Sequence, residues 1–349
     1  MTKVGIRDVA AAAGVSLGTV SHFLNHPARV SDSKAQRIQE AIEALGFVRN
    51  NAGRQLRLGQ SSTIAYIAPD VSNPFFAMIA EGAERRAAEL GLSLFLANSG
   101  GETSREDAYL ELFEEHGVRG MLVASHGSIE DRLASVRSRG TPTVLVGRHA
   151  ASETQASVSI DEVLGGRLAA EHLLSLGRRR LAFVGGPLSV QQVGERLSGA
   201  SRAVAAVPGA TLEMIDVEHR VISEGHEVGE AIAAREPAAR PDAVFAVNDL
   251  LAIGLEQVLI GRGIRVPEDI ALIGYDDIEY AEASIVPLSS IRAPEAFGAS
   301  AIDLLQEVVS AGTEAGAGAT GGGTTADGGA DRRRVFAPEL VERASTRGR

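Results

Sequence analysis

The sequence contains no cysteine and no tryptophan in its 349 residues, and aromatic residues make up only 4%. Without cysteine the chain has no disulfides, no thiolate nucleophiles and no cysteine-based zinc sites, a composition that fits a reducing cytoplasm. No apolar run approaches the roughly 18 residues needed to span a bilayer. The eight histidines do not show the spacing of metal ligands. The sequence therefore predicts a soluble protein with no membrane segment, no metal and no cofactor.

Positive charge is scarce overall but unevenly distributed. The formal net charge is −11, yet residues 1–60 hold eight Lys or Arg against four Asp or Glu, a balance of +4 that leaves −15 on the remainder. A cationic segment of this kind suits contact with nucleic acid phosphates, which the charge of the whole chain would argue against. The length also exceeds that of one ordinary domain. We therefore expect a small cationic head and a larger acidic body.

The head carries the periodicity of three short helices. Apolar residues recur at helical spacing over Ile6–Ala13, and Gly14 follows as a helix end. Ser16 is placed to cap a second helix, and a third is predicted over about 32–45 with Gly46 at its end. Two short helices joined by a tight turn and braced by a third form the helix-turn-helix plan, in which the second helix enters the major groove of DNA.

The sequence around that second helix resembles a known family. IRDVAAAAGVSLGTVSHFLN (6–25) and RVSDSKAQRIQEAIEALGF (29–47) are similar to the head of the lactose repressor/galactose repressor family of bacterial regulators. The resemblance implies that Thr19, Ser21 and Asn25 hold the helix on phosphates. It places Leu17, Gly18 and His22 at base-reading positions. With the capping Ser16, the predicted DNA-binding residues of the head are Ser16, Leu17, Gly18, Thr19, Ser21, His22 and Asn25.

Residues 47–60, FVRNNAGRQLRLGQ, resemble the hinge of the same family. In relatives this hinge forms a short helix on DNA and pushes a leucine into the minor groove, and Leu56 holds that position here. A leucine wedge unstacks a base step and bends the duplex. Asn50 joins Leu56 in the predicted DNA-binding set. Arg49 replaces the usual proline and Gly53 the usual alanine, and both departures weaken the expected hinge helix.

From residue 63 the pattern changes to short β-branched runs that alternate with helical stretches. Such alternation predicts parallel sheets with helices on both faces. Open sheets of this kind bind ligands at the carboxyl ends of their strands. The predicted strands are TIAYIAPD, LSLFLAN, GMLVAS, TPTVLVG, RLAFVGG, DAVFAVND and IALIGYDD.

This body resembles the periplasmic-binding-protein-like effector domain of the same family, through landmarks such as PDVSNPFF, FAVNDLLAIG and IGYDD. The predicted fold is α/β: an all-α helix-turn-helix head and an effector domain of two doubly wound parallel-sheet lobes. The expected segments are a head over 1–46, a hinge over 47–60 and an effector domain over 61–349. Within the last, the expected N-lobe is about 61–160 and 294–310, the C-lobe about 161–290 and 331–345, and a flexible glycine-rich loop 311–330.

Seven residues are expected to contact an effector in the cleft between the lobes. By matching landmarks, Arg196, Asn248 and Asp276 are the main polar contacts, since carboxylate, amide and guanidinium groups suit the hydroxyls of a polyol. Each of these has an alternative interpretation as a satisfied structural polar group or a helix cap. The full predicted set is Phe75, Phe76, Arg148, Gln192, Arg196, Asn248 and Asp276.

These observations predict a transcriptional regulator, interpreted as a cytoplasmic, nucleoid-associated repressor. Its homodimer would read a pseudo-palindromic operator, and a small effector, expected to be a sugar, would control operator binding. One alternative is a soluble sugar-binding protein of the transport type, which predicts an export signal and no basic head. Another is an enzyme on the same fold, but the sequence shows no catalytic constellation. Lys3 and Arg7 precede a short apolar stretch that Asp8 interrupts, so no signal peptide is expected.

Overall fold

The computed structural model describes residues 4–47, 61–318 and 332–347. The chain divides into two compact units, residues 1–60 and 61–349. The described part of the first unit contains three helices, α1 (Ile6–Ala13), α2 (Leu17–Asn25) and α3 (Asp32–Leu45). The predicted three-helix head is thereby confirmed.

Buried apolar side chains hold the three helices together. Val9, Val20 and Ile38, one from each helix, are fully buried in a common core. Helix α1 ends at Gly14 with φ +61° and α3 ends at Gly46 with φ +59°. Both are left-handed backbone conformations that favour glycine, as the sequence predicts for the two helix ends.

The second unit begins with five strands and four helices in alternation. In chain order these are β1 (Thr63–Ala68), α4 (Pro74–Glu89), β2 (Ser93–Asn98), α5 (Thr103–Glu115), β3 (Gly120–Val123), α6 (Glu130–Ser138), β4 (Thr143–Val146) and β5 (Ala156–Ile160), with α7 (Glu162–Ser175) following. A strand near the end of the chain, β11 (Arg333–Phe336), completes a six-stranded parallel sheet in the order β11-β5-β4-β3-β1-β2. This sheet forms the N-lobe.

Helices cover both faces of the N-lobe sheet. Along β1, Ala65 and Ile67 pack into one apolar cluster with side chains of α5 and α6, whereas Ile64 and Tyr66 pack into the other with α4. The alternation follows from the two-residue period of a strand. A strand buried on both sides favours apolar residues at nearly every position, which explains the nearly continuous hydrophobic runs in the sequence.

The C-lobe repeats this plan around a four-stranded parallel sheet in the order β7-β6-β8-β9. Its helices pack in two pairs, α7 on α8 and α9 on α10. A two-stranded antiparallel sheet pairs β10 with β12. The remaining elements are β6 (Arg180–Val184), α8 (Gln191–Ala205), β7 (Thr211–Ile215), α9 (Ile222–Ala233), β8 (Ala243–Ala246), α10 (Asp249–Gly261), β9 (Ala271–Ile273), α11 (Glu279–Ala283), β10 (Ser290–Arg292), α12 (Phe297–Gly318) and β12 (Glu339–Val341).

Two expected boundaries need correction. Helix α12 runs to Gly318, into the segment 311–330 expected as a flexible loop. Once a helix is anchored by buried residues such as Leu305, each further turn adds hydrogen bonds at little cost. Strand β11 pairs with β5, so the segment 331–345 does not belong wholly to the C-lobe. Without β11, the outer edge of β5 would be left unpaired.

None of the helices in the described part of the chain is long and apolar enough to cross a membrane.

Candidate functional site

The second helix of the head begins at a serine cap, as expected. Ser16 Oγ accepts a hydrogen bond from the Thr19 backbone N–H at 3.1 Å, and the two hydroxyls lie 2.8 Å apart. The Ser16 oxygen satisfies one of the free N–H groups at the helix start. The cap therefore fixes where α2 begins and which residues lie on its outer face.

The outer face of α2 presents most of the side chains predicted to contact DNA. Leu17 is 46% exposed. Gly18 and His22 are also exposed, while Thr19 and Ser21 are half-buried. Asn25 is the last residue of the helix. The predicted hinge residues Asn50 and Leu56, together with Arg49 and Gly53, lie outside the described residues.

A second candidate site is a cleft of about 290 Å³ between the two lobes of the effector domain. This volume lies at the low end of the range of small-molecule pockets, roughly 300–1,000 Å³. Six of the seven predicted effector residues line it: Phe75, Phe76, Gln192, Arg196, Asn248 and Asp276. They follow strand ends or lie on the helices after them, as the rule for open α/β sheets predicts.

Arg196, on α8, is buried and bound to protein groups on several sides. Its Nε and one terminal nitrogen donate to the Glu162 carboxylate at 2.8 and 3.1 Å, and the other terminal nitrogen donates to the Val247 carbonyl at 2.6 Å. Its guanidinium lies 3.4 Å above the Tyr275 ring centre, and Asp276 lies at 3.6 Å. These contacts fix the guanidinium while leaving two of its five N–H groups for a ligand.

Two glycines allow the pair of helices that carry Arg196 and Glu162 to approach closely. A Cβ on Gly166 of α7 would lie 2.0 Å from the Arg196 carbonyl oxygen, and one on Gly199 of α8 would lie 2.0 Å from the Val163 carbonyl oxygen. Neither backbone atom can move aside as a flexible side chain would. The ion pair at the cleft therefore depends on residues that touch no ligand.

Asp276 lies at the wall of the cleft on strained backbone. Its φ is +96°, in the left-handed region that an aspartate seldom adopts, and Asp277 follows with φ +52°. Burial raises the pKa of the Asp276 carboxyl to about 6, although nearby Arg196 acts in the opposite direction. A carboxylate held this way accepts hydrogen bonds from ligand hydroxyls at neutral pH. Strained backbone at a site wall is typical of functional positions.

Asn248 combines a structural and a ligand-facing position. Its side-chain oxygen caps α10 by accepting from the Leu251 backbone N–H at 3.0 Å, and its Nδ2 donates to the Arg220 carbonyl at 3.0 Å. The helix-cap interpretation therefore describes a real contact of this residue. One N–H and one oxygen lone pair remain for a ligand.

Aromatic rings form the apolar wall of the cleft. Phe75 and Phe76 follow Pro74 at the first turn of α4, and their rings meet edge to face at 5.3 Å. Phe76 also meets the His126 ring at 5.9 Å. Apolar ring faces of this kind suit the C–H face of a sugar or a flat base.

Two of the predicted effector residues, Gln192 and Arg148, form hydrogen bonds between the two lobes. Gln192 donates to the Gly147 carbonyl across the cleft at 2.7 Å. Arg148 does not line the cleft, because its guanidinium donates to Gln191 and to the Gly127 carbonyl. Arg148 therefore lies beside the site as a link between the lobes.

Sequence reasoning missed five charged or titratable residues that line the cleft: Asp70, His126, Glu162, His219 and Arg220. His126 follows β3, a predicted strand, so the strand end alone signals it, whereas Glu162 follows β5, a strand that the sequence pattern did not predict. Arg220 comes after β7, a strand with exposed, polar positions that the sequence pattern did not predict. Within the described ranges, no group of three or more His, Asp or Glu side chains is placed to hold a metal ion.

Two family profiles match the chain. One, described as bacterial regulatory proteins of the lacI family, matches residues 5–50. The other, described as a periplasmic binding protein-like domain, matches residues 170–346. The two matches fall in the two compact units.

Individual proteins resemble the chain over nearly its full length. The ribose operon repressor of Escherichia coli (strain K12) is 34% identical over 305 residues, covering 86% of this chain and 91% of that protein. A solved lac repressor dimer, bound to operator and the anti-inducer ONPF, has a TM-score of 0.79 at 23% identity over 99% of each chain, and it shows the same fold. The transcriptional regulator CelR in complex with cellobiose has a TM-score of 0.68 at 28% identity, covering 98% of this chain and 99% of that one.

Proposed function

The chain belongs to the lacI family of bacterial regulatory proteins and is a DNA-binding transcriptional regulator, and we propose which of its residues bind the operator and which bind the effector. One observation carries the proposal. The same chain combines an exposed helix-turn-helix face with a ligand-sized cleft whose polar groups converge from two lobes.

We propose that α2 enters the major groove of the operator. Leu17 packs against a thymine methyl, His22 gives one directional hydrogen bond to a base, and Gly18 leaves room for the groove wall. Thr19, Ser21 and Asn25 contact phosphates around them, and Ser16 orients the helix start. Asn50 and Leu56 remain part of the proposal through the family resemblance alone.

The proposed effector site is the cleft. Asp276, Arg196 and Asn248 bind ligand hydroxyls, Gln192 lies at the junction of the lobes, and Phe76 with Phe75 covers an apolar face. Arg148 contributes by linking the lobes and not by direct contact. The relative CelR, solved with cellobiose, supports a sugar as the class of ligand. A ligand that binds one arrangement of the lobes more tightly shifts the protein towards that arrangement. Affinity for the operator changes as a result, because the two binding sites are coupled through the arrangement of the lobes.

The proposed assembly is a homodimer, because two heads are needed to read the two halves of a pseudo-palindromic operator. The proposed location is the cytoplasm, on the nucleoid, where the operator lies. The protein acts by binding and not by catalysis, in keeping with relatives that are regulators.

The test uses the full-length protein in two assays. Binding-site selection should return a pseudo-palindromic consensus, and affinity for it should exceed affinity for random DNA at one fixed salt concentration. A thermal-shift screen of sugars should then find a ligand that raises the Tm and changes operator affinity. Asp276→Ala should abolish that response while operator affinity is retained. A protein that shows no preference among DNA sequences would contradict the proposal.

A further inference from the structure

The cleft contains a second cation, the half-buried Arg220, in addition to the buried Arg196. Arg220 lies in the C-lobe loop between β7 and α9 and lines the cleft wall. One terminal nitrogen donates to the Gly186 carbonyl at 2.8 Å, and the other donates to Nδ1 of His126 in the N-lobe at 3.2 Å. The side chain therefore reaches across the cleft at the place where a ligand would lie.

The two cleft arginines differ in how their charge is compensated. Arg196 forms a two-pronged ion pair with Glu162. Among the described residues, no carboxylate lies within 4 Å of Arg220, and both of its acceptors are neutral. Burial, and then the positive charge of Arg196, lower the pKa of Arg220, but an arginine still stays protonated. A partly buried cation without a carboxylate partner is costly, and a bound anion would remove that cost.

His126 is oriented to act with Arg220. Since its Nδ1 accepts from the guanidinium, the ring proton lies on Nε2, which is left to donate. Burial, and then Arg220, lower the pKa of His126 to about 4, so the ring is neutral at pH 7. The edge contact with Phe76 holds the ring in place. Together the two side chains offer four N–H donors that form no hydrogen bond with the described residues.

The carboxylates whose charge acts on Arg220, namely Asp276, Asp70 and Glu224, all have other partners. Asp70 accepts from the backbone N–H and hydroxyl of Ser72, at 2.9 and 2.6 Å. Glu224 accepts from the His219 backbone N–H at 2.6 Å. Asp276 lies beside Arg196 and repels any anion placed next to it. A charged ligand must therefore direct its anionic end to Arg220 and its hydroxyls to Asp276.

We propose that the effector is an acidic monosaccharide derivative, in which a single carboxylate or phosphate binds Arg220 and His126 while the hydroxyls bind Asp276, Arg196 and Asn248. The inference rests on the proposed effector site. The planar fork of an arginine matches both anions in a two-pronged geometry. The cleft volume of about 290 Å³ suits one sugar unit with its acidic group.

The experiment is calorimetric titration of the full-length protein with matched probes. D-Glucose is compared with D-glucuronate and D-glucose 6-phosphate, and D-ribose with D-ribose 5-phosphate. At least one acidic probe should bind roughly 10- to 100-fold more tightly than its neutral parent, because losing a charged hydrogen-bond partner typically lowers affinity by about that factor. Whether the carboxylate or the phosphate member binds identifies the anion.

Variants separate the anion contact from the rest of the cleft. Arg220→Gln should remove the preference for the acidic probe over its neutral parent. Arg220→Lys should keep part of the preference, because it keeps the charge without the fork. Arg202→Gln, at an exposed position of α8, is the matched control and should change neither affinity.

The outcomes distinguish this inference from the proposed function. A neutral sugar that binds as tightly as its acids and changes operator affinity overturns the inference but leaves the effector site standing. An acidic probe whose preference survives Arg220→Gln also overturns it. If no acidic probe binds, the inference fails. If, in addition, the protein does not select a DNA sequence, the proposed function fails with it.

Discussion

At the scale of single residues, His22 is the side chain of α2 best suited to read a base. It is exposed and offers a directional hydrogen-bond donor, which Leu17 and Gly18 do not. An imidazole makes one such bond where an arginine makes two, so His22→Ala should cost about 1 kcal/mol at one base position per half-site. Binding-site selection measures this as a relaxed preference at that position.

The histidine one residue beyond α2 provides the control for this prediction. His26 is also exposed, and a phosphate contact from it would carry no sequence information. His26→Ala should therefore leave the selected consensus unchanged. An unaltered consensus with His22→Ala would remove His22 from the base-reading residues.

Asp276 gives the effector site a pH dependence. Burial raises the pKa of its carboxyl from the ordinary 3.8 to about 6, so protonation below pH 6 removes the charge that binds ligand hydroxyls. We expect affinity for a neutral sugar ligand to be constant from pH 7 to 8 and to fall as the pH drops through 6. Calorimetry over this range tests it, and Asp276→Asn should bind weakly at every pH.

The same group affects stability in the opposite direction. Because the folded-state pKa lies above the unfolded value, the folded protein binds more protons between pH 4 and 6, and protonation of Asp276 favours the folded state. Protonation of Asp276 at pH 5.5 should therefore lower the affinity for the ligand without destabilising the folded protein. A pH profile that Asp276→Asn leaves unchanged would show that another group is responsible.

At the scale of elements, the pair α7 and α8 is held by the buried ion pair between Glu162 and Arg196. Removing one partner leaves an unpaired buried charge, which typically costs roughly 3–5 kcal/mol. Arg196→Ala should therefore lower the free energy of unfolding by that amount, in addition to weakening effector binding. It is consequently a poor test of ligand contact alone, and Asp276→Ala is the better one.

A double-mutant cycle measures the coupling of this pair. Arg196→Met with Glu162→Gln should destabilise the protein less than the two single variants predict by addition, as measured by chemical unfolding. The surface pair of Arg265 and Asp269 is the control, and Arg265→Ala should have a much smaller effect on the free energy of unfolding, because solvent screens an exposed pair. Additive effects for Arg196 and Glu162 would show that the pair is not coupled.

At the scale of the whole molecule, the head and the effector domain are separate compact units with separate cores. The core of the head is small, and Val20 is fully buried in it. Val20→Ala should destabilise the head by roughly 1–3 kcal/mol, because it removes packed atoms from the core. A unit of this size has little stability in reserve, so that loss is a large share of its total. We expect a loss of at least tenfold in operator affinity, measured by fluorescence anisotropy, with unchanged ligand affinity by calorimetry.

A milder change in the same core provides the comparison. Val30 is only partly buried at the edge of this core, so Val30→Ala should cause a smaller loss of operator affinity. If Val20→Ala alters ligand affinity in the cleft as strongly as operator affinity, the two units do not act as separate binding modules.

The sequence by itself determined the features that depend on near neighbours along the chain. The helix ends at Gly14 and Gly46, the cap at Ser16 and the first-turn proline at Pro74 are all confirmed. Each depends on hydrogen bonds or sterics within a few residues, which local sequence encodes directly. The seven predicted strands are also confirmed, because most of them are buried on both faces of a sheet and stand out as nearly continuous apolar runs.

Tertiary structure decided the partners that come from distant parts of the chain. The pairing of β11 with β5 joins residues 176 positions apart, and short, largely exposed strands such as β7 carry no pattern of their own. The contact of Arg220 with His126 exists only because two lobes face each other across the cleft. Sequence spacing does not specify such distances, because the backbone path between the residues passes through several packed helices. Which charges in the cleft are compensated, and so which ligands it favours, is therefore a property of the folded molecule.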